Sequence, residues 1–391
     1  MTKEARNEAD VVVDDEDLSD EQSSVIDLPI GKSYLIFGPP GSGKSNLMLL
    51  RANYLYLAKY TNIQIVVFTR TLQEFIGSGG KQYDFPRDKI KTSTKFFQDL
   101  LFKYGASVAL PATFEERRAI LVQEVTKLVD SKHLKNVYDT ILLDEAQDYL
   151  PEEISLFRRL GKHLFATADS RQKIYKGDDA IATLRKSVDE ERDLELHFRI
   201  GVRICKVADA LMKDSDQYNP LEPGCQYDEK SDPSKVEVVH CADIQEQGKK
   251  ILESLRLQAK TYPDQLLGVI CPKRETLEEI KTIIANSDLS NITVMQGDGD
   301  AIHFLSDKQI CVSTIHAAKG LEFRTVHIPG AEGIRKFPHQ RNIAFTAITR
   351  AKTTVSVYHT GNLPGFLEDA LHANDSKPLP DKKSVFGGKK K

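Results

Sequence analysis

The chain has 391 residues, of which 40% are hydrophobic and 28% charged, with a formal net charge of -3. These are ordinary values for a soluble globular protein, the length exceeds a usual single core and predicts two or three domains, and the charge gives no overall pull toward nucleic acid, so any such binding needs a local groove. No apolar run approaches the roughly 20 residues that span a bilayer, and five dispersed cysteines without a C-x-x-C (Cys205, Cys225, Cys241, Cys271, Cys311) read as reduced thiols of a cytoplasmic protein rather than a zinc site or a disulfide frame.

In chain order, residues 1–17 are acidic and polar, a predicted disordered tail unlike a signal peptide. A strand is predicted over Ser33–Phe37 and a helix over Asn46–Ala58, and between them lies G-x-x-x-x-G-K-S with Gly38, Gly43, Lys44 and Ser45. Glycines here let consecutive N–H groups turn onto phosphate oxygens at the positive end of a new helix. Lys44 then reaches the β- and γ-phosphates and the Ser45 hydroxyl ligates magnesium. The bland alternative is a Gly/Pro turn with a chance lysine, which the strand-to-helix setting disfavours.

Further strands are predicted over Ile63–Phe68, Thr140–Leu143 and His163–Thr167, alternating with helices as a parallel sheet covered by helices requires. A second series follows over Val236–His240, Leu267–Cys271, Ile292–Met295, Ile310–Ser313, Thr325–Ile328 and Thr353–Tyr358. The expected organisation is an α/β chain with a first domain over 18–195, a small helical insert at about 74–137, a second domain over 196–372, and a basic tail from 373. Within the first domain, the strand in YDTILLDEAQD delivers Asp144 and Glu145 to its carboxyl end, where ligands of open α/β sheets collect. Asp144 is placed to hold magnesium and Glu145 to polarise a water for attack on the γ-phosphate. An acidic pair after a strand is also a common helix-start charge pattern; together with the Gly38–Ser45 loop it becomes a hydrolytic site.

These segments, with others in the same order, resemble superfamily 1 helicases of the UvrD/Rep type. DEAQD has that family's hydrolytic form; LSDEQSSVI resembles its adenine-reading glutamine motif with Gln22; VVFTRTLQ and, more weakly, KTSTKFF resemble strand-contacting motifs. FATADSRQKIY resembles the coupling motif, LHFRI the N-Y-R segment, STIHAAKGLEF the T-x-H-x-x-K-G-L-E-F signature, and AFTAITRAK the segment with the transition-state arginine. The resemblance covers residues 18–352 and implies two tandem RecA-like P-loop domains that use ATP and Mg2+. It implies that Gln172 senses the γ-phosphate, Phe198 stacks on adenine, and Arg199 and Arg350 reach the γ-phosphate and transition state. It also implies nucleotide contacts from Pro39, Gly41, Ser42, Gly320 and Glu322, and strand contacts from Phe68, Thr69, Arg70, Thr314 and His316.

Two activities are consistent with these expectations. One is an ATP-dependent translocase or helicase on single-stranded DNA, with RNA as the other candidate strand and 3′-to-5′ polarity carried by the resemblance. The other is an ATP-gated switch that closes on nucleic acid or protein beside a partner such as a nuclease, in repair or in defence against foreign DNA. Gly177, two residues after Tyr175 where relatives carry an aromatic, in a chain with no tryptophan, and the little length left for large accessory subdomains favour the switch, whereas the complete ATPase motifs and the T-x-H-x-x-K-G-L-E-F match favour the translocase; Ala168 in place of a glycine is a mild change.

Overall fold

The computed structural model describes residues 18–68, 73, 83–111, 113–169, 171, 180–213, 218–296, 308–336 and 339–374. Two all-parallel six-stranded sheets form within them, each covered by helices on both faces. The fold is α/β with two RecA-like domains.

The first sheet is built from β1 (Tyr34–Phe37), β2 (Ile63–Val67), β3 (Ile90–Thr92), β4 (Tyr138–Leu143), β5 (Gly161–Ala168) and β6 (Glu190–Asp193), in the order β3-β2-β4-β5-β1-β6. Alternation along each strand feeds two cores. Tyr34, Ile36, Ile63, Ile65 and Leu142 face one side with α1 (Asp20–Ile26) and α2 (Lys44–Leu57), whereas Leu35, Val66, Ile141 and Leu143 face the other. That second face is covered by α3 (Ser93–Lys103), α4 (Phe114–Ser131), α5 (Pro151–Leu160) and α6 (Ala180–Ser187). Strands apolar on both faces are what a parallel sheet covered by helices demands, and each buried Ile or Leu contributes about 1.5–3 kcal/mol relative to exposure. A single charge at a position such as Val66, wholly buried in β2, breaks this layer.

The second sheet takes β7 (Lys235–His240), β8 (Leu267–Cys271), β9 (Thr293–Met295), β10 (Ile310–Thr314), β11 (Phe323–Ile328) and β12 (Ala351–His359), ordered β7-β12-β11-β8-β10-β9. One face packs on α7 (Val202–Met212), α10 (Gln340–Ile348) and α11 (Gly365–Leu371), the other on α8 (Ile244–Thr261) and α9 (Arg274–Ala285). No helix among the described residues is long and apolar enough to cross a membrane.

Two strands have no counterpart in the sequence reading. Ile90–Thr92 falls inside the expected helical insert, yet it pairs with β2 as one sheet edge, and Thr92 caps α3 by accepting from the Lys95 N–H at 3.2 Å. Glu190–Asp193 pairs with β1 at the other edge; its sequence, EERD, offers no apolar period because that strand is largely solvated.

Candidate active site

The phosphate loop runs from β1 into α2. Gly41 and Gly43 adopt φ of +79° and +82°, the left-handed region open to glycine. Space is tight as well: a Cβ on Gly43 would lie 2.9 Å from Gln22 Nε2, and one on Gly41 would lie 3.0 Å from Arg199 Cβ. Gln22, held by a capping box with Ser19, donates to the Ser42 carbonyl at 3.0 Å. Ser42 in turn donates from its hydroxyl to the Pro39 carbonyl at 2.9 Å. Lys44 is buried at the first turn of α2, with Nζ donating to the carbonyls of Gly38 and Pro39, both at 2.8 Å. Burial lowers the Lys44 pKa, against the opposing pull of Asp169 and Glu145.

β5 lies between β1 and β4, so the residues after the three strands converge on the loop. Ser45 Oγ donates to Asp144 Oδ2 at 2.7 Å, and Thr167 from β5 donates to Asp144 Oδ1 at 2.6 Å. Burial and then the neighbouring Glu145 raise the Asp144 pKa. A hydroxyl beside a carboxylate at the phosphate loop is a hard-oxygen donor set that fits Mg2+. Glu145 has φ of +50°, rare for a non-glycine and a form of strain that clusters at functional sites. Gln147 donates to Glu145 Oε2 and accepts from the Asp169 N–H at 3.0 Å, which locks the turn after β4 to the end of β5. Burial alone pushes the Glu145 carboxyl up, but Lys319, Lys44 and Arg350 outweigh it and hold the group below the usual range.

The second sheet closes the cleft. The Phe198 N–H donates to the Gly41 carbonyl at 3.2 Å, which sets Phe198 at the loop's edge with its ring 42% exposed. Arg199 is ion-paired with Glu322, donates to the Thr349 carbonyl at 3.3 Å, and leaves its buried Nε without a hydrogen-bond partner among the described residues. Arg350 is buried, donates to the carbonyls of Thr346 and Leu321, and contributes to the field at Glu145. Lys319, 1% exposed, crosses from the turn after β10 to reach Asp148 Oδ2 at 2.6 Å and Glu145 Oε2 at 3.7 Å. Burial nevertheless lifts the Asp148 carboxyl to about 6 despite the facing ammonium. Gly320, next to it, has φ of +85° and makes that turn.

Lys44, Ser45, Asp144, Glu145, Gln22, Phe198, Arg199 and Arg350 therefore meet in one cleft, while Glu322 engages Arg199. Gln172, Thr69 and Arg70 lie outside the described residues. Phe68 is placed otherwise than expected: it is 7% exposed, edge-on to Phe114 and Tyr149, with the Arg118 guanidinium 5.3 Å from its ring centre. Buried among these groups, it offers little free surface to a base in this arrangement. Thr314, also buried, accepts from the Ala317 N–H, and His316 follows it in the same turn, half-buried. Sequence reasoning overlooked Lys319, Asp148, Gln147 and Thr167, although all four stand inside the quoted motifs; their partners lie on other elements and only the fold supplies them.

Residues 309–358 match the family model described as the UvrD-like helicase C-terminal domain. This supports the resemblance to UvrD/Rep-type superfamily 1 helicases and a helicase-type, nucleic-acid-directed function. The matched stretch takes in β10, β11, α10 and β12 of the second sheet and its helices, and with them Thr314, His316, Lys319 and Arg350. No curated protein matches the chain.

Proposed function

We propose that the chain hydrolyses ATP and couples the turnover to movement along single-stranded DNA, as a translocase or helicase whose 3′-to-5′ polarity rests on the family resemblance. The observation that carries the reading is the 2.7 Å pair of Ser45 and Asp144, beside Glu145, facing two arginines from the other domain. Ser45 and Asp144 would hold Mg2+, which would supply neutralisation of phosphate charge when bound. Lys44 exchanges its carbonyl partners for phosphate oxygens, and the loop N–H groups do the rest of the anchoring. Glu145, ionised and steered by Gln147, orients the attacking water and takes its proton. Arg199 and Arg350 neutralise charge that develops in the transition state. Gln172 keeps the γ-phosphate-sensing role that the resemblance implies. Since both arginines sit on the second domain, the catalytic set is complete only when the two domains are together on ATP, and release after hydrolysis is felt by a strand lying across both.

A second reading is an ATP-gated switch that closes on nucleic acid or a protein partner, such as a nuclease, without stepping. The covered ring of Phe68 favours it, because stepping on bases draws on exposed aromatic platforms worth about 1–3 kcal/mol per base. Steady-state ATP hydrolysis with single-stranded DNA and RNA of graded length separates the two. A rate that rises with length and saturates supports the translocase; a rate indifferent to length beyond one footprint supports the switch, and absence of hydrolysis overturns both.

A further inference from the structure

Behind the segment that carries Phe198 and Arg199, three side chains converge that the nucleotide site does not use. His197 and Cys225 are brought side by side by a two-residue parallel bridge: the His197 N–H donates to the Gly224 carbonyl at 3.0 Å and the Gln226 N–H donates to the His197 carbonyl at 2.8 Å. Cys205 reaches them from the first turn of α7. The thiols of Cys205 and Cys225 both donate to the Ile200 carbonyl, at 3.5 and 3.2 Å, and Cys205 Sγ lies 3.8 Å from His197 Nε2. All three ligand-type atoms lie within 4.8 Å of one another.

We propose that His197, Cys205 and Cys225 form a site for a thiophilic divalent cation of the zinc class, which ties the Leu196–Ile200 segment to α7 and to the loop before β7.

The geometry is close to what such an ion requires. Zinc–sulfur and zinc–nitrogen bonds at tetrahedral angles set the nitrogen and sulfur about 3.6 Å apart and two sulfurs about 3.8 Å apart, so the cluster needs only side-chain adjustments to close on a cation. Soft thiolates with one imidazole select zinc over magnesium or calcium. His197 is wholly buried, and its Nδ1 has no hydrogen-bond partner among the described residues. Nε2, which faces Cys205, now bonds the Leu221 carbonyl at 2.9 Å; coordination takes that nitrogen's lone pair and moves the ring proton to Nδ1. Burial keeps the imidazole neutral, the form that ligates. Both thiols ligate as thiolates, and binding releases their protons to solvent. Cys225 is the half-exposed member and marks the side open to a water as fourth ligand. The order His-x7-Cys-x19-Cys matches no common zinc spacing, which is why the cysteines read as unrelated thiols in the sequence.

The test titrates cobalt(II), then zinc, into the full-length, chelator-treated chain and reads thiolate-to-cobalt charge-transfer and tetrahedral ligand-field absorption, with metal content by mass spectrometry. The expected result is one equivalent bound, bleaching of the bands by zinc, loss of the bands in Cys225→Ser, and their retention in Cys241→Ser. Wild type without thiolate bands, bands that survive Cys225→Ser, or two thiols that oxidise to a disulfide and take up no metal would each overturn the site. The wild-type titration decides even if the variant folds poorly, and circular dichroism checks the fold of Cys225→Ser. None of these readouts requires ATP turnover, so the proposal stands or falls apart from the hydrolytic reading.

Discussion

On the first-domain side of the cleft the polar groups satisfy one another: Ser45 and Thr167 both bond Asp144, Lys44 rests on the Gly38 and Pro39 carbonyls, and Gln147 holds Glu145. On the second-domain side they do so in part. Arg199 pairs with Glu322 but keeps a buried Nε unbonded among the described residues, and the buried ammonium of Lys319 reaches Asp148 and Glu145 across the interface. One half is thus preorganised to receive a nucleotide, and the other supplies cations, Arg199, Lys319 and Arg350, whose charges also act on Glu145 of the first. Binding and catalysis are therefore expected to separate by domain, and variants on each side test that separation.

The largest effects are expected on the first-domain side. Lys44→Ala should weaken nucleotide binding and abolish turnover. Glu145→Gln should abolish turnover with binding of a fluorescent ATP analogue unchanged, a general base being worth about 10²–10⁴ in rate. Robust hydrolysis by either variant breaks the site assignment. Next comes Arg350→Ala on the second-domain side, expected to lower kcat on the order of 10³-fold with little change in KM, as removal of a charge-neutralising arginine does in phosphoryl transfer. A change confined to KM makes Arg350 a binding residue and erases the contrast between the halves.

Lys319→Met sharpens the comparison at the interface itself. Removing one partner of a buried ion pair costs about 3–5 kcal/mol, because Asp148 and Glu145 lose the ammonium that pairs with both. Thermal unfolding measures this, and Asp148→Asn in the Lys319→Met background should recover part of it. Asp148 also gives the interface a pH signature. Its folded pKa is raised, mainly by burial, from 3.8 to about 6, so its contribution to stability is greatest below pH 4 and is lost as pH rises through about 6. The Tm of wild type relative to that of Asp148→Asn should therefore fall as pH rises from 4 through 6; a relative Tm that rises means the ammonium of Lys319 wins over burial and keeps Asp148 ionised.

The sequence made the first-domain half legible because its chemistry is local: a strand, a glycine-rich turn and a helix start lie within Ser33–Ala58, and the acidic pair follows its own strand directly. Strands with apolar residues on both faces were equally legible. Edges were not. Ile90–Thr92 is too short to show a period, and Glu190–Asp193 is charged because that edge meets solvent. The ion pair of Lys319 with Asp148 and the convergence of His197, Cys205 and Cys225 join residues distant in sequence, and no spacing rule reveals such partners before the chain is folded.

The smallest effect concerns Phe68, where a motif and its environment disagree. VVFTRTLQ resembles a segment that touches a nucleic-acid strand, but Phe114, Tyr149 and Arg118 enclose this ring. A base could stack on it only after Arg118 left Glu153, to which it is ion-paired in a buried setting, and an unpaired buried charge is costly. Phe68→Leu should therefore cost stability, about 1 kcal/mol for a core swap of similar volume, and leave the affinity for single-stranded DNA within twofold. If instead affinity falls by the tenfold or more that losing one stacked base brings, the ring is exposed when the strand is bound. In that outcome the first domain rearranges on nucleic acid, and the preorganised half of the molecule extends no further than its nucleotide loop.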